Sequence, residues 1–152
     1  MSFMHDPNFQ YMPVLKFVKN HPDAKLPTKN HETDAGWDVY SVEDKILKAK
    51  SATQVSIGIR FADIPQGYWI EPRSRSGLMF KHGIRVFNGT IDSGFIGNAG
   101  ILLINESDID YEVKKGDRIA QLAIHFNIHM KVDWGEVTPS ARGSSGFGGS
   151  GR

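Results

Sequence analysis

The stretch Gln54 to Phe61, QVSIGIRF, decides the fold class. Val55, Ile57, Ile59 and Phe61 fall on one side of an extended chain, and Gln54, Ser56, Gly58 and Arg60 on the other. A period of two belongs to a half-buried β-strand, because successive side chains on a pleated strand point to opposite faces. Working outward, short β-type runs recur at Val14 to Val18, Trp37 to Tyr40, Tyr68 to Ile70, Ile84 to Phe87, Arg118 to Ile124 and Lys131 to Trp134. Gly100 to Ile104 is a continuous apolar run of the kind a fully buried strand carries. Turn signals separate the runs at Pro65-Gln66-Gly67, Asn88-Gly89 and Lys115-Gly116-Asp117. No long window has a helical period, and the one helix expected is short, Ser76 to Lys81. Many short strands with frequent turns predict an all-β sandwich or barrel.

Composition narrows the function classes. The 152 residues suffice for one core, and 39% apolar against 23% charged residues argues for a folded domain. With 18 basic and 17 acidic residues there is no basic excess to track nucleic acid, so an anionic ligand must be held by a few placed groups. Cysteine is absent, which removes disulfides and thiolate metal sites. No run has the length of a signal peptide or a membrane span, and the chain is expected in the cytoplasm, its own or a host's. The six histidines lack metal-ligand spacing, and His125 and His129, four apart in β-like sequence, are expected to be structural or exposed.

Five short stretches carry candidate chemistry. Thr33 to Asp38 is a turn leading into a strand, and Asp38 is also a carboxylate of the type that helps hold hydrated Mg²⁺. Pro72 to Leu78 is a charged turn or, alternatively, a phosphate site built from an Arg fork, a hydroxyl and backbone N–H groups. In Gly89 to Phe95, Asp92 between glycines forms a turn, and a carboxylate at a strand end beside an aromatic ring also serves as a general base toward water. In Gly116 to Leu122, Arg118 is expected to be structural, while Gln121 is an uncharged donor in an apolar strand and needs a partner, for which a phosphate oxygen is one choice. Last, Arg142 to Arg152 holds five glycines, three serines and one apolar residue, Phe147. Such a segment cannot bury enough to fix itself. Arg142 offers a fixed charge, the glycines converging N–H groups, and Phe147 between Gly146 and Gly148 a ring that can stack on a base.

In this order the stretches resemble the five motifs of the trimeric dUTP pyrophosphatases. DAGWDV (34–39), RSGL (75–78), GTIDSGF (89–95) with Gly97, GDRIAQL (116–122) and RGSSGFGGSG (142–151) look like the first to the fifth. The resemblance implies a distorted jelly-roll β-barrel over residues 1–135 and a glycine-rich arm, 136–152, that closes over a neighbouring subunit's site. It implies a homotrimer with active sites at subunit interfaces, and hydrolysis of dUTP to dUMP and pyrophosphate with Mg²⁺ held mainly on the triphosphate. That reaction keeps uracil out of DNA and supplies dUMP for dTMP synthesis. Asp92 is implied as the group that deprotonates the attacking water, and Asp38 as part of the metal and water shell. Thr90, Ile91 and Asn88 would lie against uracil and the 3′-hydroxyl, Phe95 against the deoxyribose, and Gly100 would admit the base. Arg75, Ser76, Gly77 and Gln121 would hold phosphates, Arg142 the γ-phosphate, and Phe147 with Gly148 would cover uracil.

The chain departs from the family pattern at Phe95, where the motif has tyrosine, and at Gly149-Ser150, where Ser-Thr is common. Motif two contains a second Arg-Ser pair, Arg73-Ser74, and Arg75-Ser76 is preferred because Gly77-Leu78 follows it. Two rival readings remain: a dCTP deaminase-like enzyme of the same fold, and a regulatory binding protein on this scaffold. A deaminase needs a titratable group on the strand after motif three, and Gly100 to Ile104 has none. Asp92, Arg75 and Arg142 are all present, so nothing marks the site as dead. Activity leaves room for a regulatory protein partner, for which Met1 to Tyr11 is the segment to examine.

Overall fold

The computed structural model describes residues 12–145. Met1 to Tyr11, Phe147, Gly148 and Gly149 therefore lie outside the described residues. Ten strands and one helix follow in the order β1 (Lys16–Lys19), β2 (Gly36–Tyr40), β3 (Lys45–Leu47), β4 (Ser51–Asp63), β5 (Tyr68–Arg73), α1 (Ser76–His82), β6 (Ile84–Val86), β7 (Ile91–Asp92), β8 (Gly97–Asn105), β9 (Tyr111–Val113) and β10 (Arg118–Phe126). Two four-stranded sheets, β1-β4-β8-β6 and β2-β10-β5-β7, pair antiparallel throughout, and β3 with β9 forms a two-stranded third. The core lies between the two larger sheets. Val55, Ile57, Phe61, Ile101, Leu103 and Ile84 enter it from one, Val39, Ile70, Ile119 and Leu122 from the other, and Leu47 and Val113 close an end. This is a jelly-roll arrangement, and the sheets stay open rather than closing into a barrel.

QVSIGIRF forms the middle of β4, and Val55, Ile57, Ile59 and Phe61 are all buried as the period of two requires. The alternation survives a defect. Ser56 pairs with Gly100 and Arg60 with Asn98, so four steps on β4 oppose two on β8. Two extra residues keep the parity, and the bulge needs Gly58: its φ is +68°, and a Cβ there would come within 2.7 Å of His21 Cβ and 2.8 Å of Val42 Cγ1. The short helix runs one residue past the expected Lys81, to His82, and is ended by Gly83 in the left-handed region donating back to Met79 O, with Lys81 and His82 in its last turn.

One expected strand is missing. Lys131 to Trp134 has no strand partner among the described residues. From Phe126 to Ser145 every residue is exposed, Trp134 at 99% and Val132 at 93%. Phe126, Ile128, Met130, Val132 and Trp134 nevertheless alternate with Asn127, His129, Lys131 and Asp133, which is strand periodicity. A strand without a neighbour leaves its backbone groups to water and is marginal alone, whatever its side chains specify. No helix among the described residues is long and apolar enough to cross a membrane.

Candidate active site

The antiparallel register puts three of the candidate residues, Asp38, Gln121 and Asp92, on the non-core face of the β2-β10-β5-β7 sheet. Asp38, Gln121 and Arg73 form one cross-strand line, Gly36, Ala123 and Glu71 the next, and then His125, Trp69 and Asp92. The residues between them, such as Leu122 and Ile70, point into the core.

At one end of this face, motifs one, two and four meet. Asp38 is the hub, its side chain only 17% exposed. Arg75 donates to Asp38 Oδ1 from Nε at 3.1 Å and to the carbonyl of Arg118 from Nη1 at 3.3 Å. Arg118 itself lies 3.6 Å from Asp38 Oδ2. One carboxylate between two guanidinium groups leaves net positive charge here, as an oligophosphate site requires. Gln121 finds its partner within the chain, donating from Nε2 to Ser74 O at 2.9 Å, and its amide retains a second N–H for a ligand. The glycine of the first motif explains how it fits: a Cβ on Gly36 would stand 1.9 Å from Gln121 Oε1, so Gly36 exists to admit the glutamine. Ser74 is occupied twice, since its Oγ also accepts from Val86 N at 2.9 Å. The first Arg-Ser pair thus ties strands together, and the second begins α1, with Ser76 and Gly77 exposed and open space where a Gly77 Cβ would be. Asp34 accepts from His31 N at 2.9 Å and is a turn former.

At the other end of the face, Asp92 closes β7 and is exposed. A turn follows at once, Phe95 N donating to Asp92 O at 3.2 Å across Gly94 at φ +86°. Phe95 returns over the chain, its ring edge-on to Phe61 at 6.1 Å. It lies so close to Gly97 that a Cβ there would be 2.6 Å from Phe95 Cζ. Asn88 and Thr90 are exposed in the loop before β7, and Ile91 packs against the core.

The hairpin that carries Asp92 is split between sheets. β6 pairs with β8 as far as Val86 and Leu103, with Phe87 N still donating to Leu102 O at 2.9 Å. β7 then leaves for β5. From Gly97 to Ile101, β8 therefore pairs only with β4, and its other edge faces the opened hairpin. Backbone N–H and C=O groups on such an edge have no strand to pair with. Gly100 lies in this segment, and the Gln54 amide occupies the place of its Cβ, with Nε2 2.2 Å from it. Arg142 is exposed in the tail, where its Nε donates to Ser145 O at 3.0 Å.

Gln121 and Asp38 face each other across adjacent strands, which their sequence separation hides. Glu71, Trp69 and His125 belong to none of the five motifs, yet they occupy the middle of this face; the alternation of Tyr68 to Arg73 is the signal that could have found the first two. Glu71 accepts from Asn88 Nδ2 at 3.2 Å and meets His125 Nε2 at 3.0 Å, and His125 stacks on Trp69 at 4.2 Å.

The chain matches the dUTPase family model over residues 22–151. It is 40% identical to the deoxyuridine 5′-triphosphate nucleotidohydrolase of Nautilia profundicola over 141 residues, 91% of this chain and 99% of the relative. The Clostridium acetobutylicum enzyme of the same name is 41% identical over 140 residues, covering 90% and 96%. Among solved structures, the dUTPase of Staphylococcus bacteriophage 80alpha with dUpNHpp superposes with a TM-score of 0.84 at 30% identity, covering 93% of this chain and 100% of that one. Ordered motifs, a jelly roll that gathers three of them around Asp38, and relatives matched over nearly their whole length lead to one conclusion: the chain belongs to the dUTPase family and hydrolyses dUTP.

Proposed function

We propose that Asp92 of one subunit works against the phosphate end of another, and that water attacks the α-phosphorus of dUTP to release dUMP and pyrophosphate. One observation carries this reading: the two halves of the site stand too far apart within a single chain. Between the Asp38 line and Asp92 lie three strand spacings and four residues of β5, on the order of 20 Å along the sheet. A general base must come within hydrogen-bond reach of the water it deprotonates. A neighbouring copy whose Asp92 end meets this chain's Asp38 end completes the site, and three such contacts around an axis close a homotrimer. The alternation from Ile128 to Trp134, unpartnered among the described residues, supports exchange of that strand with a neighbour.

In this arrangement Asp92 takes the proton of the water. Arg75, Gln121 and Arg142 neutralise charge on the triphosphate, and phosphoryl transfer needs little beyond such placement. The split hairpin reads uracil by backbone groups, and the Phe95 ring leaves no room for a 2′-hydroxyl. The described residues hold no cluster of three metal-ligating side chains, and both Asp38 oxygens face guanidinium groups. This fits a Mg²⁺ held chiefly by phosphate oxygens and touched by Asp38 through water, since Mg²⁺ keeps waters and takes few carboxylates. Bound there, the ion supplies further charge neutralisation. A relative from phage phi11 of S. aureus, with a TM-score of 0.74 at 26% identity over 82% of this chain and 98% of that one, coordinates a structural Mg(II) ion. Residues 136–152, including Phe147 and Gly148, close over the nucleotide and exclude water. The product dUMP serves dTMP synthesis, and removal of dUTP keeps uracil from DNA.

The test is incubation with dUTP, dCTP, dTTP and UTP in Mg²⁺, with products identified. dUMP and pyrophosphate from dUTP alone are expected; ammonia release or equal use of UTP overturns the reading. Asp92→Asn is expected to bind nucleotide and lose at least ~100-fold in turnover, the general acid–base scale.

A further inference from the structure

We infer that Glu71 and Asn88 form a positioning pair that holds the Asp92 loop to the body of the sheet, and that the Asn88 side chain serves this brace rather than uracil. The inference rests on the reading of Thr90 to Asp92 as the loop that reads the base and carries the proton acceptor. Glu71 projects from the centre of β5, its side chain 18% exposed. Each of its oxygens has its own partner. Oε1 accepts from Asn88 Nδ2 at 3.2 Å, and Oε2 lies 3.0 Å from His125 Nε2. A carboxylate only accepts, so His125 carries its proton on Nε2 and donates. Arg73 Nη1 stands 3.8 Å from the same oxygen.

The consequence is mechanical. Between Val86 and Ile91 the chain crosses from one sheet to the other, and from Asn88 to Thr90 it has no strand neighbour. Its exit is held where Ile91 and Asp92 pair with Ile70 and Trp69. Its entry is held where Phe87 N meets Leu102 O. The Asn88 amide on Glu71 is the side-chain tie between these points. Glu71 is in turn anchored to β10 through His125, whose ring is fixed against Trp69 at 4.2 Å and 16°. Trp69 is the cross-strand partner of Asp92. Asn88, Glu71, His125, Trp69 and Asp92 thus form a continuous chain of contacts. A loop placed in this way keeps the base recognition groups and Asp92 in fixed relation, and small misplacements at a reacting centre are expensive.

Kinetics with dUTP and UTP test the pair, with melting temperature followed in parallel. Asn88→Ala and Glu71→Ala are each expected to lower kcat/KM for dUTP by about 10-fold, the scale of one hydrogen bond to a charged group, chiefly in kcat, with weaker preference for dUTP over UTP. Asn88→Asp sets carboxylate against carboxylate and should be worse. Adding Glu71→Gln to Asn88→Asp reverses the donor and acceptor: the introduced glutamine donates to the introduced aspartate and accepts from His125. That double variant should return to within ~3-fold of wild type. Single variants within ~2-fold of wild type in kcat and selectivity, or a double variant no better than Asn88→Asp, would overturn the inference. Where Glu71→Ala fails to fold, the exchange of partners still decides. A wild-type enzyme that left dUTP intact would instead sink the functional reading.

Discussion

β10 and the segment that follows it are continuous in sequence and opposite in structure. In both, every second residue is apolar: Ala120, Leu122, Ile124 and Phe126 in β10, and Ile128, Met130, Val132 and Trp134 after it. Arg118 to Phe126 has β2 on one side and β5 on the other, and its inward residues, such as Leu122, are buried. Phe126 to Trp134 keeps the same alternation and leaves its apolar residues in water. The difference teaches that a period of two specifies a face and not a partner. β10 meets its partners within the chain, and Ile128 to Trp134 meets none among the described residues. The same division holds for the site. The Asp38 end is assembled inside one copy, while Arg142 stands free of the body, as its exposure to solvent indicates.

Four changes would break or sharpen this contrast, and the largest comes from the exposed side. Deleting residues 142–152 is expected to cost on the order of 100-fold in kcat, the scale for losing one pre-placed donor to developing charge, with an unchanged melting temperature. Unfolding of the truncated protein would make the tail part of the core instead. Next, Trp134→Ser should weaken self-association by about 30-fold, as for a buried interface aromatic worth about 2 kcal/mol. Sedimentation across a dilution series measures it, and an unaltered oligomer would remove this strand from the interface. On the built side, Gly36→Ala drives a methyl into Gln121. Overpacking of this kind costs about 1–3 kcal/mol; displacement of Gln121 should lower kcat/KM by about 10-fold, an effect on the general scale of a lost charged hydrogen bond. The smallest effect lies far from the site. The Asp110 carboxyl is held below the usual carboxylate range by the Ala49 N–H, then by Lys48. A lowered folded pKa gives stability that is present above the unfolded value and lost as pH falls through the folded one. Asp110→Asn should therefore lower the melting temperature slightly at neutral pH, and the gap to wild type should close in acid.

Legibility varied by residue. Val55, Ile57, Ile59 and Phe61 were readable because burial on one face imposes a period on the sequence. Gln121 stood out as a donor in an apolar strand, but its partner, Ser74 O, depends on a neighbouring strand and left no local mark. Lys131 to Trp134 has a strand's pattern and no strand partner among the described residues, since the pattern is local and pairing is not. Glu71 has an ordinary composition context; its importance comes from what the register sets beside it. The Phe147 and Gly148 assignments rest on motif order alone.

By itself the sequence determined an all-β chain, the residue types of an oligophosphate and nucleotide site, and, through five ordered motifs, the family. These follow from local chemistry, which side chains carry wherever the backbone takes them. Only the tertiary structure decided that Gly36 is small for the sake of Gln121, that Asp38 sits between two arginines, that the hairpin before Asp92 opens between two sheets, and that Asp92 lies at the far end of the face from Asp38. Those facts are matters of register and crossing, in which residues far apart in the chain are brought together by hydrogen-bonded strands, and no window of sequence contains both partners.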